Sequence, residues 1–148
     1  MEQLRSILEN SNFSYELIQH EKPILSAQDG ADYFGIELGQ TAPTLIIKTE
    51  KGFFSLIVSG KRGKVNFDDI AKLLGCSEIK LASGKEVKQV TGFEVGSVPL
   101  VGVALPCILD RELYRYPYIY GGTGKRTCTL KIEPLALEAL NQVEGIFG

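Results

Sequence analysis

Apolar positions along this chain switch repeatedly between helical spacing and strict alternation, and the switches mark out its elements. Leu4, Ile7 and Leu8 share one helical face and predict an amphipathic first helix. Phe13, Tyr15 and Leu17 alternate with Ser14, Glu16 and Ile18, the period of a strand. Ser26, with Asp29 three residues on and Gly35 as a stop, frames a short helix. Leu45 to Lys51 and Phe53 to Ser59 read as a hairpin turning at Lys51-Gly52. Asn66 opens a helix whose inner face is Phe67, Ile70, Leu73 and Leu74 and whose end is Gly75. Glu78 to Ala82 is a short strand, and Ser83-Gly84-Lys85-Glu86 is a capping box starting a helix through Val90. Val101 to Leu109 reads as a buried strand and Cys128 to Ile132 as a last one. Pro134 begins a C-terminal helix carrying Leu137, Leu140 and Val143. The hairpin and the short spacings oppose a regular βαβ repeat. The expected class is α+β: a curled mixed sheet, a partial barrel, with helices packed outside it.

Two segments break this patterning with glycine. Thr91-Gly92-Phe93-Glu94-Val95-Gly96-Ser97-Val98-Pro99-Leu100-Val101-Gly102 carries three glycines and a proline in an apolar stretch. Gly121-Gly122-Thr123-Gly124 is followed by Lys125-Arg126. A glycine inside regular structure costs about 0.5–1 kcal/mol, so such runs point to backbone that must approach something closely. The two segments are expected to face one backbone-lined cleft, with two ordinary turns as the alternative.

Composition narrows the class. The 148 residues suit a single core, so residues 1–148 are expected to form one domain. Net charge is −2, against the basic balance of stand-alone nucleic-acid binders. Yet Lys61, Arg62 and Lys64 cluster, as do Lys125 and Arg126, leaving room for a local basic face and weak tRNA binding. A DNA partner is not expected. The longest apolar runs fall short of the roughly 20 residues of a membrane span, and no basic leader precedes an apolar stretch, so a cytoplasmic location with no membrane partner is expected. Three cysteines without a Cys-x-x-Cys pair and one histidine, His20, argue against a disulfide framework or a metal site, and no cofactor is implied.

Motifs with their own chemistry are missing. There is no nucleophile elbow, and Gly121-Gly122-Thr123-Gly124-Lys125 lacks phosphate-loop spacing. Asp68-Asp69 reads as the first turn of its helix rather than an acid–base pair.

Taken in order, the segments resemble the YbaK/prolyl-tRNA-synthetase-associated editing family. The resemblance covers nearly the whole chain. Its residues are His20 ahead of a proline, Ser26-Ala27 opening a helix to Gly35, and the hairpin from Thr44. Ser59-Gly60-Lys61-Arg62 then precedes the Asp68-to-Gly75 helix, and Leu81-Ala82-Ser83 follows it. Thr91-Gly92-Phe93, the run Gly96 to Gly102 with Pro99, the Leu109-Asp110 turn and Gly121-Gly122 complete the set.

The resemblance implies a deacylase that hydrolyses the ester of a mischarged aminoacyl-tRNA bearing a small aminoacyl group, with a synthetase as a further partner. It implies backbone donors to the oxyanion from Gly96 and Ser97, and a pocket formed by His20, Thr44, Ser59, Pro99, Gly121, Gly122 and Thr123. Lys61, Arg62 and Lys125 would meet tRNA phosphates. An aminoacyl ester is already activated, so positioned water and backbone amides suffice without a side-chain nucleophile. Two departures stand out. The family's Lys-[Thr/Ser]-Leu pattern reads Pro43-Thr44-Leu45 here, and the segment 123–128 offers no carboxylate where the family has an aspartate. They support an alternative: a non-catalytic module on the same fold that binds tRNA, an amino-acid-like ligand or a synthetase.

Overall fold

The alternating and helical segments assemble into two mixed sheets with helices on their outer faces in the computed structural model, which describes residues 1–148. One sheet holds β1 (Tyr15–Gln19), β8 (Cys128–Ile132), β7 (Ile119–Gly121) and β2 (Thr41–Ala42) in that order. The other runs β5 (Ile79–Leu81), β3 (Thr44–Thr49), β4 (Gly52–Ile57), β6 (Cys107–Asp110), β9 (Val143–Phe147). In the first sheet β8 pairs antiparallel with β1 and β7, while β2 lies parallel to β7. In the second, the β3–β4 hairpin and the β3–β5 pair are antiparallel, and β6 is parallel to both β4 and β9. The sheets do not close into a barrel.

Three apolar clusters fill the interior. The largest joins the two sheets through Ile57, Leu109, Leu130 and Ile132, and is covered by Leu4 and Leu8 of α1 (Glu2–Glu9) and Leu137 of α5 (Leu135–Leu140). A second packs Ile70 of α3 (Phe67–Leu74) on Ile47, Leu56 and Ile108. The third and smallest sets Val87 of α4 (Gly84–Thr91) against Ile46 and Val98, beside the two glycine segments.

Local signals placed the helices. Ser26 accepts a hydrogen bond from Asp29 N–H at the start of α2 (Ala27–Phe34), Asn66 from Asp68 N–H at α3, and Ser83 and Glu86 form the expected reciprocal box at α4. Two expectations need correction. Of the stretch 101–109 only residues 107–109 are strand, the start of β6 (Cys107–Asp110): Gly102 takes a left-handed φ of 86°, and Pro106 has no N–H to give a ladder. The C-terminal helix stops at Leu140 because Asn141 is extended, so Val143 belongs instead to β9, parallel to β6.

Candidate active-site cleft

The glycine segments meet, and close packing explains their composition. Leu100 N–H donates to Gly122 O at 3.1 Å. A Cβ on Gly122 would run into the carbonyl oxygen of Val98, and one on Gly121 would press on the Leu100 side chain. Gly96 holds a left-handed φ of 87°, strained for any residue with a Cβ. Between the segments lies a cavity of about 290 Å³, at the small end of the roughly 300–1,000 Å³ usual for ligand clefts. Its walls are the start of β3 (Pro43 to Ile46), the start of α2 (Ser26, Ala27, Gly30), the 95–98 loop, and Tyr120 to Gly122 with Lys125 and Arg126. Phe34 and Tyr120 form an aromatic side, with ring centroids 5.1 Å apart.

Several polar groups in these walls have no partner within the protein, three of them at the start of β3 and in the 95–98 loop. The Thr44 hydroxyl oxygen is buried and unbonded, and no hydrogen bond uses the Gly96 or Val98 N–H. Native structures rarely leave a buried polar group such as the Thr44 oxygen unpaired, because each lost hydrogen bond costs about 1–3 kcal/mol, whereas Gly96 is exposed and its amide is open to water. Such groups, gathered at one cavity, are suited to a ligand's oxygens.

Not every residue named from sequence reaches this cavity. Gly96, Ser97, Thr44, Gly121, Gly122 and Lys125 line it. Ser97 differs from expectation in its bonding: its N–H and its hydroxyl both donate to Glu94 O, at 3.1 and 3.0 Å, so Val98 rather than Ser97 holds the second free amide. Spacing alone gave no signal of that turn.

His20, Ser59, Pro99 and Thr123 stand behind the walls instead. His20 Nδ1 donates to Lys22 O at 2.7 Å and Nε2 lies 2.9 Å from the Thr129 hydroxyl, so the imidazole braces a wall residue. Ser59 Oγ donates to Gly39 O, and Thr123 Oγ1 donates to Cys128 O, pinning the turn that carries Lys125.

The basic cluster is divided. Lys61 pairs with Glu112 at 3.4 Å and lies over the Tyr116 ring. Arg62 is a correction: its Nε and Nη2 both donate to the fully buried Asp110 at 2.6 Å, which occupies the fork a phosphate would need. The neighbouring cations in the cleft are Lys125 and Arg126, and Arg126 Nη2 donates to Val95 O at 2.9 Å across its mouth. Pro43 lines the cavity, whereas Lys48 is tied to Glu86 of α4 at 2.7 Å.

The family model of the aminoacyl-tRNA editing domain matches residues 21–140, a span containing every wall of the cleft. The chain belongs to that family. Proline–tRNA ligases of Caldicellulosiruptor bescii and Desulforamulus reducens are 27% and 35% identical to it over 108 and 106 residues, covering 73% and 71% of this chain. The matches span only 19% and 18% of those longer enzymes. Among solved structures, a proposed trans-editing enzyme for prolyl tRNA synthetase superposes with a TM-score of 0.83 at 30% identity, covering 96% of this chain and 92% of that one. A hypothetical protein at 23% identity superposes at 0.89 over 97% of both chains, a likeness of fold alone. This editing domain therefore shares its architecture with solved chains of similar length and its sequence with a segment of larger synthetases.

Proposed function

We propose that the cleft hydrolyses the ester bond of a mischarged aminoacyl-tRNA carrying a small aminoacyl group. One observation supports this above the others: the free Gly96 and Val98 amides and the unpartnered Thr44 hydroxyl line one small cavity within the family-matched span. In this reading the two amides receive the ester carbonyl and strengthen as it becomes an oxyanion, an effect worth about 2.7–4 kcal/mol per donor in other enzymes. The Thr44 hydroxyl, donor and acceptor at once, holds either the attacking water or the terminal ribose hydroxyl. Water adds to the acyl carbon, the bond to the ribose oxygen breaks, and that oxygen takes the proton. Lys125 and Arg126 at the mouth meet acceptor-stem phosphate, and Phe34 with Tyr120 offers a face on which the terminal base stacks.

A second reading, a binding module without turnover, is favoured by one observation: Pro43 lines the cleft where the resemblance calls for a lysine, and Lys48 is held elsewhere by Glu86. Deacylation and binding measured on one panel of mischarged tRNAs separate the two. Turnover is expected; tight binding without it would select the second reading. A Pro43→Lys variant that gains turnover would show the remaining site to be competent.

A further inference from the structure

The charge of the cleft constrains the acyl group more closely than its size does. Lys125 and Arg126 line it, and so do Ser26 and Ala27, where the positive end of α2 opens. No aspartate or glutamate lines it, and the other titratable side chains in its walls are Tyr120 and Cys128. The carboxylates of the adjoining elements are engaged outside it. Asp29 accepts from Leu25 N–H at 3.3 Å, Glu86 holds Lys48 at 2.7 Å, and Glu94 lies 3.5 Å from Lys88. His20, behind Thr129, is bonded on both ring nitrogens. An α-ammonium entering this space would find no carboxylate, only neutral oxygens, with two exposed cations at the mouth, and removing a cation from water without a counter-ion is unfavourable.

We propose that the cleft takes esters whose α-substituent is uncharged, an α-hydroxyacyl ester as readily as a neutral α-aminoacyl ester, and rejects the α-ammonium form. The claim rests on reading the cleft as an ester-hydrolysing site. The reaction is the same for both acyl groups: water oxygen bonds the acyl carbon, the bond to ribose breaks, and the ribose oxygen leaves with the proton.

The test uses adenosine esters, which carry no phosphate and so isolate the cleft from tRNA electrostatics. Hydrolysis of 3′-O-lactyl-adenosine and 3′-O-alanyl-adenosine is compared from pH 6 to pH 9, each rate divided by the spontaneous rate of the same ester. α-Amino groups titrate near 7.7–8.0. The lactyl ester should therefore be favoured by about tenfold or more at pH 6, and the two should agree within about twofold at pH 9. Lys125→Glu should bring the pH 6 ratio close to one. Affinity for the non-hydrolysable 3′-lactylamido and 3′-alanylamido analogues should follow the same pH pattern. That second measurement decides the inference even where no ester turns over. A ratio that stays flat with pH, or a preference for the alanyl compound at pH 6, overturns the inference while leaving hydrolysis standing. Absence of turnover with the pH-dependent affinity intact overturns the proposed hydrolysis alone. Binding of neither analogue overturns the inference.

Discussion

Two polar regions of this molecule are built on opposite terms. At Asp110 a fully buried carboxylate is saturated: Ser59 N–H and Glu112 N–H donate to it at 2.9 Å, and Arg62 donates twice at 2.6 Å. In the cleft, the Thr44 hydroxyl and the Gly96 and Val98 amides have no partner at all. The first arrangement ties the segments 59–62 and 110–112 together and leaves nothing to offer a ligand. The second contributes nothing to folding and leaves its hydrogen bonds to be completed from outside. Polar residues with similar sequence signals thus divide into stabilising and binding groups according to who supplies the partner.

The largest expected effect lies at the saturated region. Removing one member of a buried, hydrogen-bonded ion pair costs about 3–5 kcal/mol. Arg62, at 23% exposure, can turn toward water, so Asp110→Ala should lower unfolding free energy by about 3 kcal/mol, near the bottom of that range. Urea denaturation measures it. A loss under about 1 kcal/mol would mean that the network is not structural.

The next effect strikes the cleft through its backbone. In Gly122→Ala the new methyl meets the Val98 carbonyl oxygen, which cannot rotate away as a side-chain tip could. Overpacking of this kind costs about 1–3 kcal/mol, and a displacement near 1 Å at a reacting centre costs about 100-fold in rate. Deacylation should fall far more than the melting temperature implies. Equal activity in the variant would remove the 95–98 loop from the reaction.

Thr44→Val sharpens the contrast further, because it deletes a polar atom that folding does not use. Stability should hold or rise slightly, since no protein hydrogen bond is lost. Activity or ligand affinity should fall about tenfold, the equivalent of roughly 1.4 kcal/mol for one hydrogen bond. If stability falls instead, the hydroxyl has a partner in solution and the cleft loses its best-placed polar group.

The same division explains what could be read from the sequence. The hairpin and the capped helices were legible because their signals are local: Ser83 and Glu86 complete each other across three residues. The cleft was legible through its glycines, whose cost invites a reason. By contrast, Val143 keeps helical spacing with Leu140, and only pairing with the distant β6 makes it a strand. Arg62 looked like a phosphate contact because its partner Asp110 lies 48 positions away. Ser97 looked like an amide donor until the turn to Glu94 formed. Long-range partners decide these cases, and spacing does not encode them.

The smallest effect concerns the charges just outside the cleft, where exposure limits what any ion pair contributes. The Lys48 ammonium, bonded to Glu86, is the main reason that carboxyl is held down to about 2, with the Ser83 N–H second. In the unfolded chain the same carboxyl titrates at its ordinary value of 4.5. Between those values the unfolded state binds a proton that the folded state does not, so stability present above pH 4.5 is lost as pH falls toward 2. Glu50, also lowered to about 2 by bonds from Ser77, acts in the same direction. Lys48→Met should remove part of that acid slope while leaving the Ser83 and Glu50 contributions, and added salt should reduce the difference between variant and parent. Melting temperatures at pH 5 and pH 2.5, at two salt concentrations, read it directly. Parallel acid slopes in the two proteins would show that the Lys48 ammonium does not hold the Glu86 carboxyl down in solution; Lys48 would still stay out of the cleft, since five residues of extended strand set it about 16 Å from Pro43.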